Sequence, residues 1–365
     1  MSARDHQTGT LTTLFQGVIV TIVAEKFDHV IGVDTHAKTH TLVVLNPSGV
    51  LLKADTFPTS GPGLRRAQNW IGRNAPGEIL VAMEGTGSYG AQFAQLLENA
   101  GIVVAETKPP KRGARRNGKS DEIDAELAAR FALFQPVEKL LVPRRNHGDR
   151  TAIQVLLVGR RYRTHERTAA VNRLTALLRI HDLGVDARRS LAAATIDTIS
   201  HWRPRVNDAA ATAVIRTEAT EIAARIRTLD AELTRNETAL KNHVTALAGW
   251  LLDEFGIGPV TAAQLLASWS HKDRVRNEAA FARLGGVAPI PASSGNIVRH
   301  RVHRGGDRQL NYALWVIANS RTMNDPATKP YVERRIAEGK NRDEILRSLK
   351  RYIARSLFRK LQQMS

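Results

Sequence analysis

The sequence predicts an α/β domain followed by two mostly helical regions. Residues 30–57 contain three β-rich runs separated by short polar turns. Residues 64–134 then alternate helical and strand-like patterns, and from about residue 142 the apolar positions recur with helical spacing. We therefore predict four segments: an N-terminal extension (1–27), an α/β domain (28–141), a helical region (142–250) and a mostly helical C-terminal domain (251–365).

The α/β domain is predicted to contain five strands and three helices. In chain order the strands cover residues 30–34, 39–45, 50–57, 79–83 and 102–105. Three antiparallel strands followed by alternating helices and strands is the order of a ribonuclease-H-like sheet. Asp34 then lies on the first strand and Glu84 at the carboxyl end of the fourth, where open α/β sheets place their functional sites.

The last helix of this domain is predicted from an apolar stripe at Ile123, Leu127, Ala128, Phe131 and Phe134, and it opens with a pair of acids, Asp121 and Asp124. They are three residues apart and so share one helix face. Acids at a helix N-terminus are often only capping groups, and that alternative stays open. With Asp34 and Glu84 they make a set of four acids, which in one pocket needs a divalent cation to balance its charge. The set therefore predicts a Mg²⁺ (or Mn²⁺) site.

The charge balance predicts a polyanionic partner. The 365 residues include 53 Lys and Arg against 35 Asp and Glu, a formal net charge of +18, which favours nucleic acid over an anionic membrane surface. The apolar run 14–24 is shorter than the roughly 20 residues of a membrane span, so no membrane partner is expected. Disulfides and thiolate metal sites are excluded because there is no cysteine, which is compatible with a cytoplasmic location.

Candidate nucleic-acid contacts form two basic clusters. The first immediately precedes the paired acids, and the second follows a serine-containing turn at residues 293–296. Clustered cations of this kind suit a phosphate backbone. The selected residues are Lys111, Arg112, Arg115, Arg116, Lys119, Arg299, Arg301 and Arg304.

Two features offer alternative chemistry. Residues 85–90 match the G-x-G-x-x-G fingerprint of dinucleotide binding, with Glu106 about 20 residues further on. A dinucleotide fold normally begins with this unit, whereas three strands precede it here, and the carboxylate of Glu84 repels an anion. The histidines at positions 36, 40, 300 and 303 are alternative metal ligands, although phosphate contact or a surface position is the simpler interpretation.

The helical regions carry three further patterns. Residues 218–247 have apolar side chains at helical spacing and no Gly or Pro, which predicts a long exposed or coiled-coil helix used as a spacer or dimer arm. Residues 255–263 are typical of a helix-hairpin-helix turn, whose amides can hold a phosphate. Residues 343–361 predict an amphipathic helix with a stripe of four arginines that suits either solvent or a phosphate backbone.

Several motifs resemble those of the DEDD transposases. In the α/β domain they are residues 31–34 (IGVD), 83–87 (MEGTG) and 119–125 (KSDEIDA). C-terminal segments match as well, at residues 256–258, 285–289, 293–295 and 304–307. Over residues 30–361 the chain thus resembles the insertion-sequence family that includes Piv-type DNA invertases and bridge-RNA-guided serine recombinases.

The resemblance implies a specific active centre. The four acids would form a RuvC-like metal site, and Ser294 would be the nucleophile that forms a covalent phosphoserine link to DNA, with Ser293 open as the alternative. It also implies a homo-oligomer (dimer or tetramer) whose active site combines domains of two subunits. A non-coding guide RNA is a further implied partner.

We therefore predict a transposase or recombinase that cuts and rejoins DNA through Ser294 with the aid of Mg²⁺. Arg299, Arg301 and Arg304 are expected to hold the scissile phosphate. One alternative is a metal-dependent junction-resolving nuclease, in which the acids activate water and the serine is only a turn residue. A second is a non-catalytic helix-hairpin-helix protein that binds DNA.

Overall fold

The chain divides into two compact units, residues 1–146 and 147–365. The computed structural model describes residues 20–107, 120–144, 148–291, 300–301, 303 and 305–364. In these residues the first unit is a mixed α/β sheet domain and the second is mostly helical. Both features agree with the predicted fold class.

The first unit is organised around one five-stranded sheet. Its strands are β1 (His29–Thr35), β2 (Thr39–Leu45), β3 (Leu51–Pro58), β4 (Ile79–Met83) and β5 (Val103–Glu106). The strand order is β3-β2-β1-β4-β5; β1 to β3 form an antiparallel meander, and β4 and β5 are parallel to β1. A dinucleotide-binding sheet shares this strand order but is mostly parallel, so the meander argues against that alternative.

Helices cover both faces of the sheet. They are α1 (Val23–Lys26), α2 (Gly61–Asn74), α3 (Ala91–Asn99) and α4 (Asp121–Leu133). Successive strand residues point to opposite faces, so Ile31 and Val33 of β1 enter the core under α2 and α3. Val30 enters the opposite core with α4, where Val23 and Phe27 are also buried. Residues that the sequence assigned to an N-terminal extension thus contribute to this core.

The buried face of helix α4 shares only Ala128 with the apolar stripe that the sequence predicted. The predicted apolar stripe includes Phe131 and Phe134, yet these side chains are 56% and 64% exposed. Gly32 of β1 explains the difference, because a Cβ atom there would lie only 1.8 Å from the carbonyl oxygen of Ala125. The strand and helix backbones are in direct contact, so small side chains fill the interface. The buried residues of α4 are Ala125, Ala128, Ala129, Ala132 and Leu133.

The described part of the second unit is helical apart from one short ribbon. Its helices are α5 (Asp149–Ile180), α6 (Ala193–Ser200), α7 (Ala210–Ala248), α8 (Pro259–Trp269), α9 (Glu278–Leu284), α10 (Arg308–Asn324), α11 (Lys329–Ala337) and α12 (Arg342–Leu361). The ribbon pairs β6 (Ile290–Pro291) with β7 (His300–Arg301) in antiparallel fashion. Among the helices that are described, none has the length and apolar character to cross a membrane.

The long helix α7 has a partner within its own chain. It packs against α5, and the predicted apolar positions Ile226, Leu229 and Leu240 are buried. In the ion pairs between the two helices, the residue number falls along α7 as it rises along α5, so the helices are antiparallel. These ion pairs include Arg160–Glu237, Arg163–Glu232 and Arg167–Asp230. The coiled-coil spacer or dimer arm stays a prediction.

The C-terminal helix α12 has the predicted apolar stripe. Its positions 349, 353, 357 and 361 are all buried. The arginines of the opposite stripe are partly neutralised, because Arg351, Arg355 and Arg359 approach the carboxylate of Glu278 at 3.8, 2.8 and 3.4 Å. One acid against three arginines leaves an excess of positive charge on this face.

The predicted helix-hairpin-helix turn connects a short 3-10 helix, Gly249–Asp253, to α8. Gly256 has a φ of +78°, which favours glycine at this position. Gly258 precedes Pro259, the first residue of α8, in the order common at helix starts. Phosphate binding by this turn stays a prediction.

Candidate active site

The paired acids of α4 are not the cap of their helix. Ser120 occupies the N-cap position, and its Oγ accepts a hydrogen bond from the amide of Ile123 at 3.2 Å. Asp121 and Asp124 lie in the first turn after this cap. The capping interpretation of the two acids is therefore unnecessary.

Close packing of α4 on β1 brings Asp121 to Asp34. Gly32 and Asp34 are two residues apart and so point to the same face of β1. Gly32 contacts the backbone of Ala125, and Asp121 lies one turn before Ala125 in α4. The Asp34 side chain is only 12% exposed, whereas that of Asp121 is 52% exposed. The pocket thus has a buried floor and an open rim.

His36 joins the two carboxylates. Its Nε2 lies 3.0 Å from Oδ2 of Asp34 and 3.3 Å from Oδ1 of Asp121. One ligand atom from each of the three residues falls within 4.8 Å of the others. The sequence identified His36 only as one of four histidines, and the signal that could have selected it is its place two residues after Asp34, just beyond the end of β1. The buried histidine of this region, His40, is not part of the group.

The electrostatics of Asp34 indicate a cation site. Burial raises the pKa of the Asp34 carboxyl, His36 opposes that rise, and the charges of Asp121 and Asp124 add to it. Asp124 is therefore near enough to repel Asp34. Hard divalent cations prefer carboxylate oxygens, and a cation among these groups would relieve the repulsion. The residues present thus fit a divalent metal ion.

Glu84 follows β4 at the same edge of the sheet. Val33 of β1 is paired with Met83 of β4, which brings Glu84 alongside the end of β1. Thr35 Oγ1 donates a hydrogen bond to the Glu84 carbonyl oxygen at 3.0 Å. The Glu84 carboxylate is not in the group of three whose ligand atoms lie within 4.8 Å. The carboxylates of Asp34, Asp121 and Asp124 interact electrostatically. The pairing of β1 with β4 and the Thr35 hydrogen bond place the backbone of Glu84 beside this group.

The glycine-rich turn after Glu84 has a structural explanation. Gly85 has a φ of +63°, and its carbonyl oxygen accepts from the amides of Ser88 at 2.8 Å and Gly90 at 3.0 Å. A Cβ atom at Gly90 would lie 3.1 Å from the Glu84 carbonyl oxygen. Gly85 and Gly90 thus allow a tight turn against Glu84 and have a structural role without a dinucleotide, whereas an added Cβ at Gly87 would meet no atom within 4 Å.

Most of the remaining predicted site lies outside the described residues. Arg301 is in β7, where its backbone pairs with that of Ile290. The structure does not describe Ser293, Ser294, Lys111, Arg112, Arg115, Arg116, Lys119, Arg299 or Arg304. The roles assigned to these residues stay predictions.

Asp307 anchors the chain just after the serine segment. Its Oδ1 accepts from the amides of Gln309 at 2.9 Å and Leu310 at 3.1 Å, which caps α10. Its Oδ2 accepts from Ser268 Oγ at 2.8 Å, and Ser268 is fully buried in α8. Asp307 therefore ties the start of α10 to α8. The sequence offered only the Gly-Gly-Asp motif as a signal for it.

Asp307→Ala is expected to lower the free energy of unfolding by about 2 kcal/mol, because it removes a helix cap and the acceptor of a buried hydroxyl. Urea unfolding measures this loss. Asn277→Ala is the matched control, since it removes only the cap of α9, a 2.8 Å bond to the Ala280 amide, and should cost about 1 kcal/mol. Equal losses in the two variants would contradict the role of the Ser268 contact.

Two family models match the chain. Residues 31–181 match a DEDD model of the IS110 type, described as a transposase. Residues 250–333 match the model of the transposase IS116/IS110/IS902 family. The first match begins on β1 and includes the whole carboxylate cluster.

Two relatives are similar to parts of the chain. An uncharacterized protein of insertion element IS110 from Streptomyces coelicolor is 36% identical over 105 residues, which cover 28% of this chain and 26% of that protein. A probable family 20 transposase from Pseudomonas aeruginosa is 27% identical over 246 residues, which cover 64% of this chain and 69% of that protein. The first similarity thus spans only about a quarter of the relative's length.

Proposed function

We propose that this chain is a transposase of the IS110 family and that it cuts and rejoins DNA through a covalent phosphoserine intermediate on Ser294; the matches of residues 31–181 and 250–333 to transposase models of this type support the proposal. The proposal depends mainly on one observation: ligand atoms of Asp34, Asp121 and His36 lie within 4.8 Å of one another at one edge of the sheet, and the charge of Asp124 acts on Asp34. An antiparallel meander extended by parallel strands supports a RuvC-like fold for this domain.

The proposed metal ligands are Asp34, Glu84, Asp121 and Asp124. Bound Mg²⁺ or Mn²⁺ would supply positive charge to the phosphate and orient its oxygens. His36 contacts two of these carboxylates and is proposed to orient them. The low exposure of Asp34 limits its access to bulk water, which strengthens its electrostatic interactions.

A serine nucleophile suits an enzyme that must rejoin strands. The Ser294 hydroxyl gives up its proton as its oxygen attacks the phosphorus, the bond to the leaving strand breaks, and the leaving oxygen takes up a proton. A phosphoserine ester keeps the phosphodiester bond energy, so a strand hydroxyl can reverse the reaction. Attack by water would leave free ends instead. Arg299, Arg301 and Arg304 are proposed to bind the scissile phosphate.

Ser294→Ala is expected to abolish a covalent protein–DNA adduct that the wild type forms on labelled DNA. A denaturing gel detects the adduct as a band of reduced mobility. Ser293→Ala is the matched control, and it should retain the adduct because its neighbour is the nucleophile.

The other outcomes separate the alternatives. Free cut ends from an active Ser294→Ala variant would support a junction-resolving nuclease that uses water. Loss of the adduct in Ser293→Ala alone would move the nucleophile to that residue. Unchanged activity in Ser294→Ala and Asp34→Asn alike would support a non-catalytic DNA-binding protein.

The proposed partners are DNA, a homo-oligomer (dimer or tetramer) and a non-coding guide RNA. A net charge of +18 supports a nucleic-acid partner. The basic residues at positions 111–119, next to the acids in sequence, are proposed to contact the DNA backbone. A cytoplasmic location is part of the same proposal.

A further inference from the structure

Helix α10 carries two aromatic side chains on its exposed face. Tyr312 is 62% exposed and Trp315 is 40% exposed. Their ring centroids are 5.8 Å apart and the ring planes differ by 20°, so the rings are stacked. We call these two residues the aromatic pair. Large exposed aromatic side chains are enriched at binding surfaces.

Cationic side chains lie near the aromatic pair. Arg308 lies one turn before Tyr312 on the same helix face. Lys350 Nζ of α12 lies 3.3 Å from Oδ1 of Asn311, and Arg342 Nη2 lies 2.8 Å from Oδ1 of Asn319. Asn311 and Asn319 are four residues before and after Trp315, so both cations lie beside the rings.

These cations differ from the arginines further along α12. Three of those arginines approach Glu278, whereas Arg308, Arg342, Arg347 and Lys350 form no ion pair with any residue that the structure describes. Burial, and then the charge of Arg347, lower the pKa of Lys350. Asp307 directly precedes Arg308, but its carboxylate caps α10 and accepts from Ser268 Oγ. The acids nearest in sequence to the three cations of α12 lie in the first turn of that helix, where Glu344 accepts from the amide of Asn341. The surface is therefore rich in positive charge that no carboxylate of the described residues neutralises.

Exposed rings beside unpaired cations match the chemistry of a single-stranded nucleic acid. Bases stack on aromatic faces, and the cations attract the phosphates. Bases within a duplex are already stacked on each other and are not available to rings on a helix surface. A second copy of a chain with net charge +18 would bring more positive charge to this surface, so self-association is disfavoured here.

The position of α10 favours DNA as the occupant. The helix begins at Arg308, directly after Asp307 and the segment that contains Ser294. We propose that the aromatic pair stacks an unpaired base of the DNA strand that this enzyme cuts. The inference rests on the proposed function, and it adds a binding site to it.

The test is the binding of a single-stranded DNA oligonucleotide that carries a fluorescent purine analogue. Stacking on an aromatic ring quenches such a base, so the full-length wild type should quench its emission. In the double variant Tyr312→Ala/Trp315→Ala, we expect the quenching to disappear and the affinity to fall roughly 10-fold or more. Tyr312→Phe/Trp315→Phe keeps both rings and should retain the quenching.

Tyr162→Ala is the matched control, because Tyr162 is an exposed tyrosine (74%) on α5, and it should bind like the wild type. An equal loss for duplex and single-stranded DNA would overturn the proposal, as would a loss seen only with RNA of the same sequence. A change in oligomeric state with unchanged DNA binding would also overturn it and assign the surface to a second copy. The assay needs no DNA cutting, so its failure is distinguishable from a failure of the proposed function.

Discussion

Replacing Gly32 with alanine is expected to abolish DNA cutting and to lower the free energy of unfolding by about 3 kcal/mol. The added methyl group would lie 1.8 Å from the carbonyl oxygen of Ala125 and 2.9 Å from the amide nitrogen of Ala129. Both atoms belong to the backbone, so no side-chain rotation relieves the clash. Helix α4 must move away from β1, and Asp121 moves with it away from Asp34.

Two measurements check this expectation: denaturant unfolding of the full-length protein and cleavage of labelled DNA. Gly72→Ala is the matched control, because Gly72 lies in α2 with no atom within 4 Å of an added Cβ. That variant should keep its activity and be equally stable or slightly more stable. Rescue of Gly32→Ala by Ala125→Gly would contradict the explanation, since the second substitution leaves the clashing carbonyl in place.

Asp34→Asn is expected to reduce DNA cutting roughly 100-fold or more while leaving the metal-free protein at least as stable as the wild type. The activity falls because the substitution removes a proposed metal ligand. The stability is retained because Asp34 is a nearly buried carboxylate that faces two other acids.

The pH dependence follows from the direction of the pKa shift. Burial first, and then Asp121 and Asp124, raise the pKa of Asp34 above its ordinary value of 3.8, against the opposing effect of His36. The folded protein therefore binds this proton more tightly than the unfolded chain does. The free energy of unfolding therefore falls as the pH rises from the ordinary pKa of Asp34 to its raised pKa in the folded protein. Above the raised pKa, the destabilisation by the ionised carboxylate is fully present. The advantage of Asp34→Asn should thus be largest near neutral pH and disappear in acid.

Thermal unfolding without and with Mn²⁺ measures both effects. Metal should stabilise the wild type and not Asp34→Asn. Asp55→Asn is the matched control, because Asp55 is an exposed carboxylate on β3 of the same sheet, and it should behave like the wild type throughout. A strongly destabilised Asp34→Asn protein, or one that Mn²⁺ still stabilises fully, would contradict the proposed site.

The same variant tests whether the active site combines two subunits. Asp34→Asn and Ser294→Ala are each expected to be inactive alone. If one subunit supplies the acids and another the serine, a mixed oligomer regains some intact sites and forms the covalent adduct. A mixture that stays inactive although the subunits exchange would assign both groups to one chain.

Local sequence patterns determined the sheet and the acids. The alternation of apolar runs and polar turns predicted five strands and their order along the chain, which the structure confirms, because each strand is a short local pattern. Asp34 and the Asp121/Asp124 pair were recognisable from their places at a strand and a helix start. The serine nucleophile depended on resemblance alone, because a serine in a glycine-containing turn has no distinctive local pattern.

Only the tertiary structure decided which helix faces are buried and which polar groups meet. Periodicity assigns bulky apolar residues to the core, but Gly32 lets α4 approach so closely that alanines are buried and Phe131 is exposed. The contact of His36 with both Asp34 and Asp121 follows from that same approach. The Asp307–Ser268 bond and the exposure of the aromatic pair likewise depend on how α8, α10 and α12 pack. The sequence alone thus determined the chemical groups and the strands and helices that carry them. Distances between elements far apart in the chain depend on side-chain volumes at their interfaces, and only the packed structure reveals those distances.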